Sequence, residues 1–130
     1  MKKLIALITL LAVHGLVPAD ENNTFVATTN EIGEQEIVMQ ASSYAYYPNK
    51  IIVQAGVPVV LKINKEGWVP HDLIIDDPAS GLNIKQKLGK NNEVRFTPEN
   101  KGEFVFYCGK KLPFAKSHKD KGMHGIIIVE

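Results

Sequence analysis

From residue 36 to the end of the chain, short runs of apolar residues alternate with polar residues, and Gly, Pro or Asn separates one run from the next. The clearest alternation lies in residues 57–64, where every second side chain is apolar: Val57, Val59, Leu61 and Ile63. A period of two is typical of a β-strand that buries one face. The pattern therefore predicts a strand over residues 57–64 with these side chains in the core.

The same pattern predicts six more strands along the chain. Their bounds are 36–40, 50–54, 71–75, 93–97, 103–108 and 125–130. Residues 76–92 are less regular, and we predict one short helix there, at Ile84–Leu88. Seven short strands with almost no helix predict an all-β fold built as a β-sandwich. Because residues 126–129 are apolar at every position, we expect the last strand to lie inside a sheet.

The N-terminal segment has the parts of a secretory signal peptide. Lys2 and Lys3 precede the apolar run Leu4–Val13, and small residues at 17–19 predict cleavage before Asp20. The run is shorter than the about 20 residues that a transmembrane helix needs, and a buried first helix is the alternative. The predicted organisation is a signal peptide at 1–19, an acidic lead-in at 20–35 and one domain at 36–130. We accordingly expect an exported, periplasmic protein without an integral membrane segment after cleavage.

Charge and cysteine content narrow the function further. Removing residues 1–19 takes away two lysines and changes the formal net charge from +1 to −1, so we expect no nucleic-acid partner. Cys108 is the only cysteine, which excludes an internal disulfide. In an oxidising compartment a free thiol is a liability unless it is buried or occupied. Cys108 shares a predicted strand face with Phe104 and Phe106, so a buried core cysteine is one interpretation and metal ligation is the other.

Four residues with soft or borderline ligand atoms favour metal ligation. Cys108 ends a predicted strand, His118 and Met123 follow it as Cys-x9-His-x4-Met, and His71 begins another strand 37 residues upstream. A thiolate, two imidazoles and a thioether suit copper in two oxidation states, whereas a thioether is a poor ligand for zinc. We therefore predict one copper ion per chain, bound by His71, Cys108, His118 and Met123.

Met123 has a second interpretation as a core residue, because methionine fills apolar interiors readily. The remaining histidines and Met39 are not predicted to be ligands. We expect His124 to point away from the site and Met39 to be a core residue. His14 belongs to the predicted signal peptide.

Three segments resemble the cupredoxins. YPNKIIVQAGVPV at 47–59 is similar to the strand pair that precedes the first histidine ligand of that family, and GEFVFYC at 102–108 is similar to its approach to the copper thiolate. GMHG at 122–125 is similar to the close of the same site. The resemblance covers residues 36–130 and implies a Greek-key β-sandwich with a type 1 copper site. The Cys108–His118 spacing is longer than in plastocyanin and azurin and is comparable with that of the type 1 site of copper nitrite reductases, so the resemblance leaves both a blue and a green variant of the site open.

The resemblance also implies a role for each residue of the site. Cys108 supplies the thiolate, His71 and His118 complete a trigonal plane, and Met123 tunes the potential from the axial side. The main-chain amide of Asp72 is expected to donate a hydrogen bond to the sulfur. The later histidine of the family usually protrudes through an apolar patch and carries electrons, so we expect the same of His118.

The segment between Cys108 and Gly122 carries further features of a docking surface. Leu112, Pro113 and Phe114 lie in it, Trp68 and Pro70 precede His71, and five lysines are present: Lys110, Lys111, Lys116, Lys119 and Lys121. One interpretation is a solvated loop whose lysines aid solubility. The other is a basic rim that steers an acidic redox partner.

These features together predict a monomeric electron-transfer protein whose redox partner is a cytochrome or an oxidase. A copper carrier or tolerance protein without redox turnover is the alternative, although the chain lacks the Met-rich or His-rich tract of a multi-copper buffer. An enzyme is disfavoured, because the chain has no second cysteine for a binuclear centre and no spare histidine cluster for a catalytic copper.

Overall fold

The computed structural model describes residues 23–130, and in that range it contains eleven β-strands. The signal peptide predicted at 1–19 lies outside the described residues. Numbered in chain order, the strands are β1 (Thr24–Val26), β2 (Thr28–Thr29), β3 (Gln35–Ser42), β4 (Ala45–Tyr47), β5 (Lys50–Val53), β6 (Val59–Lys65), β7 (Asp72–Asp77), β8 (Leu82–Lys87), β9 (Asn92–Phe96), β10 (Gly102–Tyr107) and β11 (His124–Val129).

The strands form the two sheets of a β-sandwich, as the sequence predicts. One sheet has six strands in the order β1-β5-β11-β10-β7-β8, and the other has the order β2-β3-β6-β9 with β4 paired to β3. β11 lies between β10, to which it is antiparallel, and β5, to which it is parallel. The prediction that the apolar last strand is internal is therefore confirmed.

The core between the sheets follows the alternation seen in the sequence, except that Val60 is buried as well and that Val57, which precedes β6, is only half-buried. Val59, Leu61 and Ile63 of β6 are buried, whereas Asn64 is exposed. On β10, Phe104 and Phe106 are buried and continue directly to the buried Cys108. The same rule that fills the core therefore turns the thiol inward at the end of β10.

The short helix predicted at Ile84–Leu88 is wrong, because these residues belong mainly to strand β8. The strand pairs antiparallel with β7, with Ile75 opposite Ile84, and its exposed positions alternate with less exposed ones. The only helical segment between β7 and β8 is a 3-10 turn at Pro78–Ser80. The free edge of β7 offers main-chain partners that an isolated five-residue helix would lack.

The acidic lead-in contributes strands to both sheets. β1 pairs with β5 in parallel, and β2 pairs with β3 in antiparallel orientation. Both strands are solvent-exposed. Between residues 23 and 130 the structure has no helix with the length and hydrophobicity needed to span a membrane.

Candidate metal centre

Three of the four predicted ligands meet in one buried cluster. His71 Nδ1 lies 3.2 Å from His118 Nδ1, and Cys108 Sγ lies 3.9 Å from the first nitrogen and 3.5 Å from the second. All three side chains are buried, with exposures of 1% for His71 and 0% for Cys108 and His118. The structure thus brings together residues that are distant in sequence. Their ligation of a metal stays a prediction.

The dimensions of this triangle suit a transition-metal ion. A point equidistant from the three atoms lies about 2.1 Å from each, close to the lengths of metal–imidazole and metal–thiolate bonds. One sulfur and two imidazole nitrogens form the trigonal donor set that is diagnostic of blue-copper sites. The site is therefore compatible with one copper ion.

Backbone hydrogen bonds at strand ends hold the ligands in place. His71 directly precedes β7, and its carbonyl accepts a hydrogen bond of 3.0 Å from the Leu88 N–H beyond β8. Cys108 directly follows β10, and its N–H donates to the Met123 carbonyl across 3.0 Å. The His118 N–H donates to the Lys110 carbonyl across 2.9 Å. The three ligands are thus fixed from adjacent strands of the six-stranded sheet and from the loop at their end.

Met123 is tied to the same cluster through its main chain. Its N–H donates to the His118 carbonyl across 3.0 Å, and its side chain is fully buried in the core. These contacts keep the residue beside Cys108 and His118, while axial ligation by its sulfur stays a prediction. The exposed position of His124 and the buried position of Met39 agree with the predictions for both residues.

Asp72 connects the strand that follows His71 with the cysteine. Its main-chain N–H donates to Cys108 Sγ across 3.5 Å, which confirms the donor expected from the family resemblance. Its carboxylate accepts a hydrogen bond of 2.6 Å from the Gly109 N–H, and its carbonyl accepts one from the buried Tyr46 hydroxyl. Asp72 thus contacts Cys108 at its sulfur and at the peptide that follows it, while Tyr46 holds the main chain of Asp72; the sequence does not predict the contacts of Gly109 and Tyr46.

Burial sets the protonation states of the ligands. Desolvation, with the nearby His118 and Lys65, lowers the pKa of His71 to about 4. Desolvation also lowers the pKa of His118, and the charge of Lys121 adds to this effect. Burial raises the pKa of the Cys108 thiol. Hydrogen bonds from the N–H groups of Asp72 and Lys110 to the sulfur oppose this increase. At neutral pH the metal-free site therefore holds two neutral imidazoles, ready to ligate, and one protonated thiol.

The expectation that His118 protrudes to the surface is wrong. Its side chain is fully buried, and among the described residues its Nε2 atom has no hydrogen-bond partner. The ring of Tyr44 lies edge-to-face against it, with centroids 4.9 Å apart and planes at 75°. The longer segment after Cys108, which carries a turn at residues 117–122, places His118 beneath a tyrosine rather than in solvent.

Exposed apolar and basic side chains nevertheless lie in the loops that carry the ligands. Trp68 and Phe114 are fully exposed, and Leu112 is partly exposed. Of the five lysines, Lys119 lies 4.4 Å from the ring centroid of Tyr107, and Lys121 lies 4.3 Å from that of Tyr44. Such cation–π contacts fix part of the positive charge at this end of the molecule.

The described residues form a β-sandwich with a buried His-Cys-His cluster that is compatible with one copper ion. The model of the cupredoxin-like domain family matches residues 4–129, and the chain belongs to that family. A search of curated protein sequences found no match.

Several solved structures share the fold. The metal-binding domain of the Cu(I)-exporting P-type ATPase CopA of Streptococcus pneumoniae D39, solved with Cu(I), is 22% identical with a TM-score of 0.65, covering 84% of this chain and 97% of that one. A copper-binding protein solved in the apo form is 27% identical with a TM-score of 0.64, covering 82% and 97%. Auracyanin A, a blue copper protein of Chloroflexus aurantiacus, is 18% identical with a TM-score of 0.57, covering 75% and 100%.

Proposed function

We propose that this protein is an exported electron carrier with one type 1 copper ion per chain. The observation that carries the proposal is the preformed triangle of His71 Nδ1, Cys108 Sγ and His118 Nδ1. When bound, copper supplies one-electron chemistry between its cupric and cuprous states. Met123, buried and hydrogen-bonded to the same loop, would be the axial ligand.

The way the ligands are held suits electron transfer. Each ligand is anchored by a backbone hydrogen bond, and the sulfur accepts an additional one from Asp72. Such outer contacts orient metal ligands and tune the metal. A rigid donor set changes little when the ion gains or loses an electron, which lowers the reorganisation that limits transfer.

We propose that partners dock at the end of the sandwich that carries the ligand loops. The exposed Trp68 and Phe114 would supply apolar contact, and the lysines of residues 110–121 would attract an acidic surface on a cytochrome or oxidase. Because His118 is buried, electrons would pass through the side chains that cover it rather than directly from an exposed imidazole edge.

The test is to add Cu(II) to the protein purified without residues 1–19 and to record visible spectra and voltammograms. We expect intense thiolate-to-copper charge-transfer absorption at one copper per chain, together with a reversible one-electron wave. The control variant Cys108→Ser should lose the visible band. A band with no reversible wave would reject electron transfer and keep the copper site.

A copper carrier without redox turnover is the second candidate. Similarity to an apo copper-binding protein favours it, and so does the burial of both imidazoles. The two functions differ in their kinetics. A carrier should hand Cu(I) to an acceptor protein faster than it exchanges electrons, whereas an electron carrier should retain copper through many redox cycles.

We further propose that the protein is not an enzyme and that it acts in the periplasm. Among residues 23–130 the His71–Cys108–His118 cluster is the only group of His, Cys, Asp or Glu side chains arranged to hold a metal. A catalytic copper centre would need a second such group. The periplasmic location depends on the N-terminal signal, and localisation of a full-length fusion with and without residues 1–19 would test it.

A further inference from the structure

One aromatic ring covers both histidines of the candidate copper site. The Tyr44 ring lies edge-to-face against His118, as described above, and also against His71, with centroids 6.0 Å apart and planes at 82°. The two imidazoles are themselves edge-to-face, 5.1 Å apart. Tyr44 is partly buried against the core, whereas both histidines are completely buried. The ring therefore lies between the imidazoles and solvent.

The backbone at Tyr44 adopts a conformation that tyrosine rarely takes. Ser43 and Tyr44 form the two-residue turn between β3 and β4, with φ angles of +49° and +62°. Turns with positive φ at both central residues favour asparagine and glycine, and a bulky residue there is uncommon. An unfavourable residue at a functional site points to a role for its side chain.

The ligand loop contacts the same ring. Lys121 Nζ lies 4.3 Å from the Tyr44 centroid, and the Lys121 N–H donates to the His118 carbonyl across 3.2 Å. Next to the ring, a surface cavity of about 420 Å³ is lined by the turn, by Glu66–Val69 and by His71. The cavity leads from solvent to Tyr44 and His71, so a displaced ring would open a path to the site.

We propose that Tyr44 is the cover of the copper site, a positioning residue that excludes water and external ligands from His71 and His118 and sets the rate of copper entry and release. This inference rests on the proposed copper function. The ring is held on one side by the two imidazoles and on another by Lys121. Displacement of the ring away from the imidazoles joins the adjacent cavity to the site without movement of the sheets.

Chemical modification of the copper-free protein tests the cover directly. Diethyl pyrocarbonate acylates accessible neutral imidazoles, and mass spectrometry resolves each histidine. The exposed His124 is an internal reference. In Tyr44→Gly, which suits the positive φ and removes the ring, we expect labelling of His118 to rise about ten-fold relative to His124. Tyr44→Phe should label like the wild type.

A matched control separates the ring from backbone freedom. Ser43→Gly introduces the same residue at the neighbouring left-handed position and keeps the tyrosine. If Ser43→Gly and Tyr44→Gly increase labelling equally, or if neither does, the cover is rejected. Circular dichroism of each copper-free variant establishes that the sandwich is folded.

The second measurement is the rate of Cu(II) transfer to EDTA from the loaded protein. We expect Tyr44→Gly to release copper about ten-fold faster than Tyr44→Phe, Ser43→Gly and the wild type. Equal rates with intact charge-transfer bands would reject the cover and leave the proposed function standing. Absence of a charge-transfer band in the wild type would instead reject the proposed function, and the role in copper exchange with it.

Discussion

The Asp72 N–H donates a hydrogen bond to Cys108 Sγ across 3.5 Å. The Asp72 carboxylate accepts a second hydrogen bond, of 2.6 Å, from the N–H of Gly109, the residue that follows Cys108. Asp72 therefore contacts both the sulfur and the peptide that follows the cysteine. Hydrogen bonding to a ligating thiolate is one of the means by which a protein tunes a copper potential.

Substitution of Asp72 tests how much the hydrogen bond from Gly109 to its carboxylate contributes to stability. In Asp72→Ala the part-buried hydrogen bond from the Gly109 N–H to a charged carboxylate is lost, so we expect the free energy of unfolding of the copper-free protein to fall by about 1–2 kcal/mol. Asp72→Asn keeps an acceptor oxygen and should lose less. Asp76→Ala, at an exposed position of the same strand, is the control. Urea denaturation measures all three, and equal values for Asp72→Ala and Asp76→Ala would contradict the prediction.

Copper affinity should depend on pH through the cysteine. The pKa of Cys108 is raised by burial, whereas that of His71 is lowered to about 4, so binding between about pH 6 and about pH 8 displaces one proton, from the thiol. We expect the apparent affinity to rise about ten-fold per pH unit across this range. Competition with a chelator of known protonation measures it. A pH-independent affinity would mean that the thiolate is already present or takes no part.

The copper-free protein should lose stability in mild acid. The folded pKa of His71 is about 4 against an ordinary 6.5, so the unfolded chain binds more protons between these values. The contribution of His71 to the free energy of unfolding is therefore complete above pH 6.5. It is lost as the pH drops toward 4, by on the order of 3 kcal/mol. His71→Gln should show a weaker decline, and His124→Gln, at an exposed site, should behave like the wild type. Thermal unfolding across this range is the measurement.

Gly125 should not tolerate a side chain. A Cβ there would overlap the Phe106 ring and the Asn49 carbonyl oxygen, and the latter belongs to the backbone and cannot rotate away. We expect Gly125→Ala to destabilise the protein by about 1–3 kcal/mol. Gly89→Ala has only an ordinary contact with Asn92 and should be nearly neutral. Similar melting temperatures for the two variants would show that the contacts of Gly125 with Phe106 and Asn49 leave room for a methyl group.

The basic loop should influence electron exchange with charged reagents. We expect Lys116→Glu to slow oxidation of the cuprous protein by the anion ferricyanide and to accelerate oxidation by a cationic cobalt complex, with both effects fading at high salt. Lys101→Glu lies before β10, at the strand end opposite Cys108, and should have a smaller effect. Stopped-flow kinetics at several ionic strengths measures these oxidation rates. Equal effects of the two substitutions would show that the lysines of the ligand loop do not steer charged reagents to the site.

The sequence predicts most of the sandwich because period-two alternation marks strands that bury one face. It predicts the ligands because Cys108, His118 and Met123 follow one strand and His71 begins another. β8 escapes prediction because it is an edge strand with few apolar residues, and its existence depends on pairing with β7. Local composition does not carry that information.

Long-range packing also explains why the sequence predicts neither the position of Tyr44 nor the burial of His118. Tyr44 lies far from both histidines in sequence, and the Ser43-Tyr44 turn lacks the Asn-Gly signature that would mark it. The burial of His118 depends on this ring and on the turn at residues 117–122. The family resemblance alone predicts an exposed histidine, and the longer ligand segment changes that outcome.

Whether His71, Cys108 and His118 bind one copper ion can be measured by extended X-ray absorption fine structure of the copper-loaded protein. We expect one sulfur and two imidazole nitrogens at bonding distance from a single copper ion, with the sulfur contribution lost in Cys108→Ser. A copper shell of nitrogen and oxygen atoms alone in the wild type would contradict this prediction.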